Sequence, residues 1–185
     1  GMSSNGFATT FTPKAVELAL AWVNENAVRL NVTAVLASMG RENKGGVCQI
    51  EKPLQDLVIS LNGKGAQVIS STGNMARNYI DYPACIPEVV AVGATDKPYK
   101  LKGWGMIQPV QQASNYGVEL DFVMPGWFTS TTLDGTQKLT TGTSNSAAAF
   151  AGLWSSLDNP SLATLKVSAQ TSMKALTPLP NTFLG

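Results

Sequence analysis

The run VTAVLAS, Val32 to Ser38, is short, apolar and rich in β-branched side chains, with no charge or proline, and it is bounded by Gly40 and the polar loop RENKGG. Such a run reads as a buried strand. On its N-terminal side, Thr12-Pro13 is a cap followed by proline at a first helical position, after which Val16, Leu20, Val23 and Ala27 fall on one helical face. On its C-terminal side the pattern repeats, with a helix from about Lys52 to Asn62, Gly63 as its stop, and AQVISST as the next strand. Two further strand-like runs follow, VVAVGA (Val89 to Ala94) and ELDFVM (Glu119 to Met124), and then two helices, one starting near Gly142 and one capped by Ser161. Helices alternating with apolar strands predict an α/β fold of three layers: a mostly parallel sheet of about four strands with helices on both faces.

Composition narrows the function. The chain has 185 residues, 14% of them charged against about 25% in ordinary soluble chains. So little charge implies much buried surface. The net charge is +1, and neither sign forms a run that could track phosphates or an anionic bilayer, so nucleic acid and membrane are not expected partners. No apolar stretch has the roughly 18 residues that span a bilayer, and GMSSNGFATTF has neither the basic region nor the apolar core of a signal peptide. Gly1 ahead of Met2 fits a cleavage scar before a start codon, and equally a start inside a longer gene. Cys48 and Cys85 match no metal motif, which leaves one bridge or two buried thiols. In GKGAQV (Gly63 to Val68) the glycines precede a strand, whereas a phosphate-cradling loop follows one, so they read as a helix stop.

In open parallel sheets, sites form beyond the carboxyl ends of the strands. Here that places SMG (Ser38 to Gly40), STGN (Ser71 to Asn74) and the TGTS loop together. Ser144 opens a helix, where outward-pointing amides and the macrodipole favour an oxyanion. Small residues at Ser146, Ala147, Ala148, Ala149, Ala151 and Gly152 predict a central, buried helix.

GTS at Gly142 to Ser144 with AG at Ala151-Gly152 resembles the nucleophile signature of the subtilases. STGN resembles that family's oxyanion segment, YPACIPEVVAVGATD (Tyr82 to Asp96) its YP-to-VIAVGA stretch, and SNYGVELDFVMPG (Ser114 to Gly126) the strand and turn before the nucleophile loop. The segments occur in the family's order, and the likeness runs from Val32 to Leu157. It implies a serine endopeptidase ancestry, with Ser144 as nucleophile and Asn74 as oxyanion donor. It also implies that Ser38, Met39, Gly40 and Ser71, Thr72, Gly73 form two walls of a substrate pocket, open enough at Gly40 and Gly73 for an apolar side chain.

The departures matter as much. The family's catalytic aspartate and histidine lie before the first helix, nothing here matches either, and the chain has no histidine at all. A serine hydroxyl without a base is a poor nucleophile. The chain therefore resembles the C-terminal half of a subtilisin-like doubly wound domain, one partial domain over 1–185 with residues 1–11 as an N-terminal arm. Three functions fit: a peptidase portion inactive alone that acts on peptide or protein substrate once completed, a pseudo-peptidase that binds peptides without cutting, or a structural remnant. Ala148 and Ala149 depart from the family's usual residues, and GTSNSAAAFAGL is similar to the sedolisins, although Ala21 and Asn74 stand where that family has aspartates.

Glu119 and Asp121 match a weak cation site of some subtilases, so calcium is possible, while no other cofactor or metal is expected. The family is mostly secreted, which leaves localisation open for a chain with no visible signal. In the family, the strand matching Val32 to Ser38 pairs with the strand carrying the catalytic aspartate. Without that neighbour the edge would be free, which predicts a homodimer joined there, or a cover formed by Gly6 to Phe11.

Overall fold

A computed structural model describes residues 12–97, 99–101, 105–107, 111, 113–158 and 160–166. The first helix, α1 (Pro13–Asn26), starts where Thr12 Oγ1 accepts the Ala15 amide at 3.2 Å, with Pro13 in the first turn where no intrahelical donor is needed. Its Leu20 is buried, Val16 and Val23 pack beside it, and Ala27 just past its end is buried too. Strand β1 (Ala34–Ala37) follows, and α2 (Lys52–Gly63) then presents Leu54, Val58 and Leu61 to the sheet. Strands β2 (Gln67–Ser71) and β3 (Val90–Thr95) are buried throughout.

A hairpin of β4 (Tyr99–Leu101) and β5 (Gly105–Ile107) comes next, then β6 (Phe122–Pro125). A second hairpin, β7 (Trp127–Thr131) with β8 (Gln137–Thr141), leads into α3 (Thr143–Ser156). The main sheet has the order β1-β2-β3-β6, all parallel, with Ala34 opposite Gln67, Ile69 opposite Val90 and Val92 opposite Phe122. One face packs on α1 and α2 through Val68 and Ala91, the other on α3 through Ile69, Val90 and Val92 against Ala147, Phe150 and Trp154. This is the expected three-layer α/β arrangement, since both faces of a parallel sheet must be covered.

Three details differ from the sequence reading. The strand expected over Val32 to Ser38 is shorter, Ala34–Ala37, and just ahead of it the Thr33 carbonyl is shared between the Gln67 amide at 3.1 Å and Trp154 Nε1 at 3.0 Å. Both hairpins are additions that the sequence reading lacked. Helix α3 is not buried all round: Thr143, Ser146, Ala147, Phe150 and Trp154 face inward, whereas Ser144, Ala148 and Gly152 are exposed. A sheet covers one side of a helix, and among the described residues nothing lies over the other. Cys48 and Cys85 form a disulfide, with Cα atoms 5.8 Å apart. The proposed arm and its Gly6 to Phe11 cover lie outside the described residues.

Candidate functional site at the carboxyl ends of the strands

The loop that carries Ser144 is held from several strand ends. Gly142, at φ +141°, turns the chain from β8 into α3 and has no side chain with which to cap the helix. The cap comes from across the sheet. Asn74, just beyond β2, accepts the Thr143 amide with Oδ1 at 2.9 Å and the Thr143 hydroxyl at 3.1 Å. Thr143 Oγ1 in turn accepts the Gly73 amide at 3.3 Å. Beyond β1, the Ser38 hydroxyl donates to the Ser144 carbonyl at 3.3 Å. At the far side of the loop, Ser146 Oγ donates to the Met124 carbonyl at 3.1 Å, and Asn145 Nδ2 to the Gly126 carbonyl at 3.2 Å and to Thr140 Oγ1 at 3.0 Å. The irregular Asn145-Ser146 pair therefore fastens the helix start to β6 and β8.

Ser144 and Asn74 thus lie at one end of the sheet, one residue apart through Thr143. Both are exposed, and neither Ser144 Oγ nor Asn74 Nδ2 has a hydrogen-bond partner among the described residues. With Oδ1 held by two donors on Thr143, the amide nitrogen of Asn74 is left as a donor at the positive end of α3.

The two candidate walls flank this point. Ser38 and Met39 are half-buried and Gly40 is exposed, while Ser71 and Thr72 are buried and Gly73 is half-buried. A third segment joins them. Asp81 donates its amide to the Thr72 carbonyl at 3.0 Å, and the next residue, Tyr82, exchanges backbone hydrogen bonds of 3.0 Å with Arg41 in both directions. Asp81-Tyr82 therefore bridges the two candidate walls, in the position of a floor between them. A β-carbon on Gly40 would stand 3.0 Å from the Tyr82 carbonyl and 3.6 Å from Asp81 Cβ. One on Gly73, whose φ of +104° already favours glycine, would collide with Asp81 Oδ2 and Asn115 Nδ2. The pocket expected to suit an apolar side chain thus has a carboxylate against it. Burial pushes the Asp81 carboxyl above its ordinary range, against the pull of the Arg77 guanidinium. Burial likewise raises the Tyr82 phenol to about 12.

Sequence reasoning missed Thr143, which links Asn74 to Gly73, and Asp81, whose only local signal is its place directly before Tyr82-Pro83. At the opposite end of β6, Asp121 is engaged by protein: Oδ2 accepts the Ala91 amide at 3.0 Å and Oδ1 takes Lys166 Nζ at 2.5 Å. Glu119 lies two residues away beside Gly117. No cluster of three or more metal-ligating side chains occurs among the described residues.

The subtilase family profile matches residues 2–178, and the chain belongs to that family. It is 33% identical to subtilisin BL of Lederbergia lenta over 100 residues, 54% of this chain and 34% of that protein. Against M-protease of Shouchella clausii (strain KSM-K16) it is 33% identical over 101 residues, 54% of this chain and 24% of that protein. The match thus spans about a third or less of these relatives. Among solved structures, sphericase superposes with a TM-score of 0.67 at 18% identity, covering 88% of this chain and 56% of that one. A cold-adapted subtilisin-like serine proteinase superposes at 0.59 and 24% identity, covering 82% and 49%. These likenesses establish the fold.

Proposed function

We propose that the chain carries the nucleophile and oxyanion portion of a subtilisin-like serine peptidase site, and that alone it holds extended peptide beside Ser144 without cleaving it. The observation that carries this reading is the clamp of Asn74 Oδ1 on Thr143, which leaves Asn74 Nδ2 as a donor without a partner among the described residues, on a side chain hydrogen-bonded to the residue before Ser144. In acyl transfer, a serine oxygen attacks the carbonyl, a base removes its proton, and fixed donors stabilise the oxygen that gains charge. The described residues supply candidates for the first and third parts. The second calls for a base, and the chain contains no histidine.

In a complete triad of this family, loss of the histidine costs about 10⁶ in turnover. The chain is therefore expected to show no measurable peptide hydrolysis and no labelling of Ser144 by a fluorophosphonate. Stoichiometric labelling that disappears in Ser144→Ala would overturn the inactive reading.

A further inference from the structure

We propose that Asp81 is a specificity-determining residue of this pocket, which takes a positively charged side chain, lysine or arginine, from the peptide residue on the acyl side of Ser144. The inference rests on the peptide-binding reading above. Asp81 is held on the floor by its own backbone, through its amide on Thr72 and through the Arg41–Tyr82 bridge one residue on. Its side chain lies against the bare faces of both wall glycines, Gly40 and Gly73. Any larger residue at Gly73 would strike the carboxylate, so the absence of a side chain there is what admits Asp81 to the space between the walls.

Two side-chain oxygens of that space have no hydrogen-bond partner among the described residues. Asp81 Oδ1 is buried with no partner, and so is Thr72 Oγ1, on a residue with no exposed surface. Around the floor, Arg41 is paired with Glu51 at 2.9 Å and Arg77 with Glu42 at 2.7 Å, while Asp81 has no ion pair among the described residues. Three carboxylates against two guanidinium groups leave one negative charge uncompensated. Asp81 is half-buried, and its carboxylate feels the Arg77 charge and the Asn43 amide. A buried oxygen left unpaired is nevertheless costly, and a lysine ammonium or arginine guanidinium entering between Gly40 and Gly73 would supply a charge and a donor to Oδ1. An apolar side chain of the same length would leave both wanting.

The test is fluorescence polarisation with two labelled tetrapeptides, one ending in lysine and one in norleucine, which has a similar chain without the ammonium. The intact chain should bind the lysine peptide about 10-fold more tightly, the scale of a charge-assisted hydrogen bond. In Asp81→Asn the two affinities should converge, with norleucine binding retained. Asp81→Ser serves if the asparagine variant is not folded by circular dichroism. Equal binding of both peptides by the parent, or discrimination that survives loss of the carboxylate, would overturn the specificity and leave the peptide site standing. If neither peptide binds, the peptide-binding reading falls and this inference with it.

Discussion

Asn74 has two ends that do different things, and substitution can separate them. Its Oδ1 serves as the N-cap of α3 from another strand, because Gly142 cannot. Removing that acceptor in Asn74→Ala should cost about 1 kcal/mol, the usual value of a lost cap. Asn74→Asp keeps the acceptor and adds negative charge at a helix N-terminus, so its melting temperature should equal or exceed the parent's. It nevertheless removes the Nδ2 donor on which oxyanion binding would depend. A calorimetric scan of the two variants checks the assignment, and equal destabilisation by both would show that the cap is not the contribution made by Oδ1.

Among the elements, β1 forms one edge of the main sheet. Among the described residues it pairs with β2 alone, and Leu36 is 42% exposed on it. Because the Thr33 carbonyl accepts the Gln67 amide and the Ala37 carbonyl accepts Ser70 Oγ, odd-numbered positions face β2 and the even positions, Ala34 and Leu36, present their backbone groups outward. We propose that a second copy of the chain pairs antiparallel with this edge about a two-fold axis. Leu36→Pro removes an outward donor while leaving the β2 ladder intact, and should convert dimer to monomer in light scattering. A monomeric parent would refute the dimer. Such a dimer still contains no histidine, so it would cover the edge without activating Ser144.

The sheet was legible because strands of a parallel sheet covered on both faces are rich in apolar side chains, as VTAVLAS, AQVISST and VVAVGA are. The β7–β8 hairpin was missed although Asp134-Gly135 is a turn signal and Gly135 adopts φ +80°. Its strands, WFTST and QKLTT, are mostly exposed and carry no apolar alternation. The half-exposed state of α3 was illegible for the opposite reason. Its composition, with no charged residue, is that of a helix covered on all sides. Asn74 and Ser144 could be read from motif order, whereas Asp81 meets Gly73 only through the path of the chain in space.

At the scale of the whole molecule, the Cys48–Cys85 bridge joins the loop after β1 to the segment before β3, across a sequence separation of 37. Closing a loop of that length restricts the unfolded chain and stabilises the fold by about 4 kcal/mol on the chain-entropy account. A Cys48→Ser, Cys85→Ser double variant should therefore melt well below the parent in the absence of reductant, and an unchanged melting temperature would show that the bridge does not form. Everything between the two cysteines lies inside one covalent ring: α2, β2, Gly73, Asn74 and Asp81. The oxyanion candidate, one wall and the floor are thus tethered to one another even when the chain is denatured, while Ser144 and Ser38 lie outside the ring and must find them anew. Whether that tether exists depends on surroundings, since bridges persist where thiols are oxidised and open where they are kept reduced. The same sequence would refold from a tethered start in one compartment and a free one in the other.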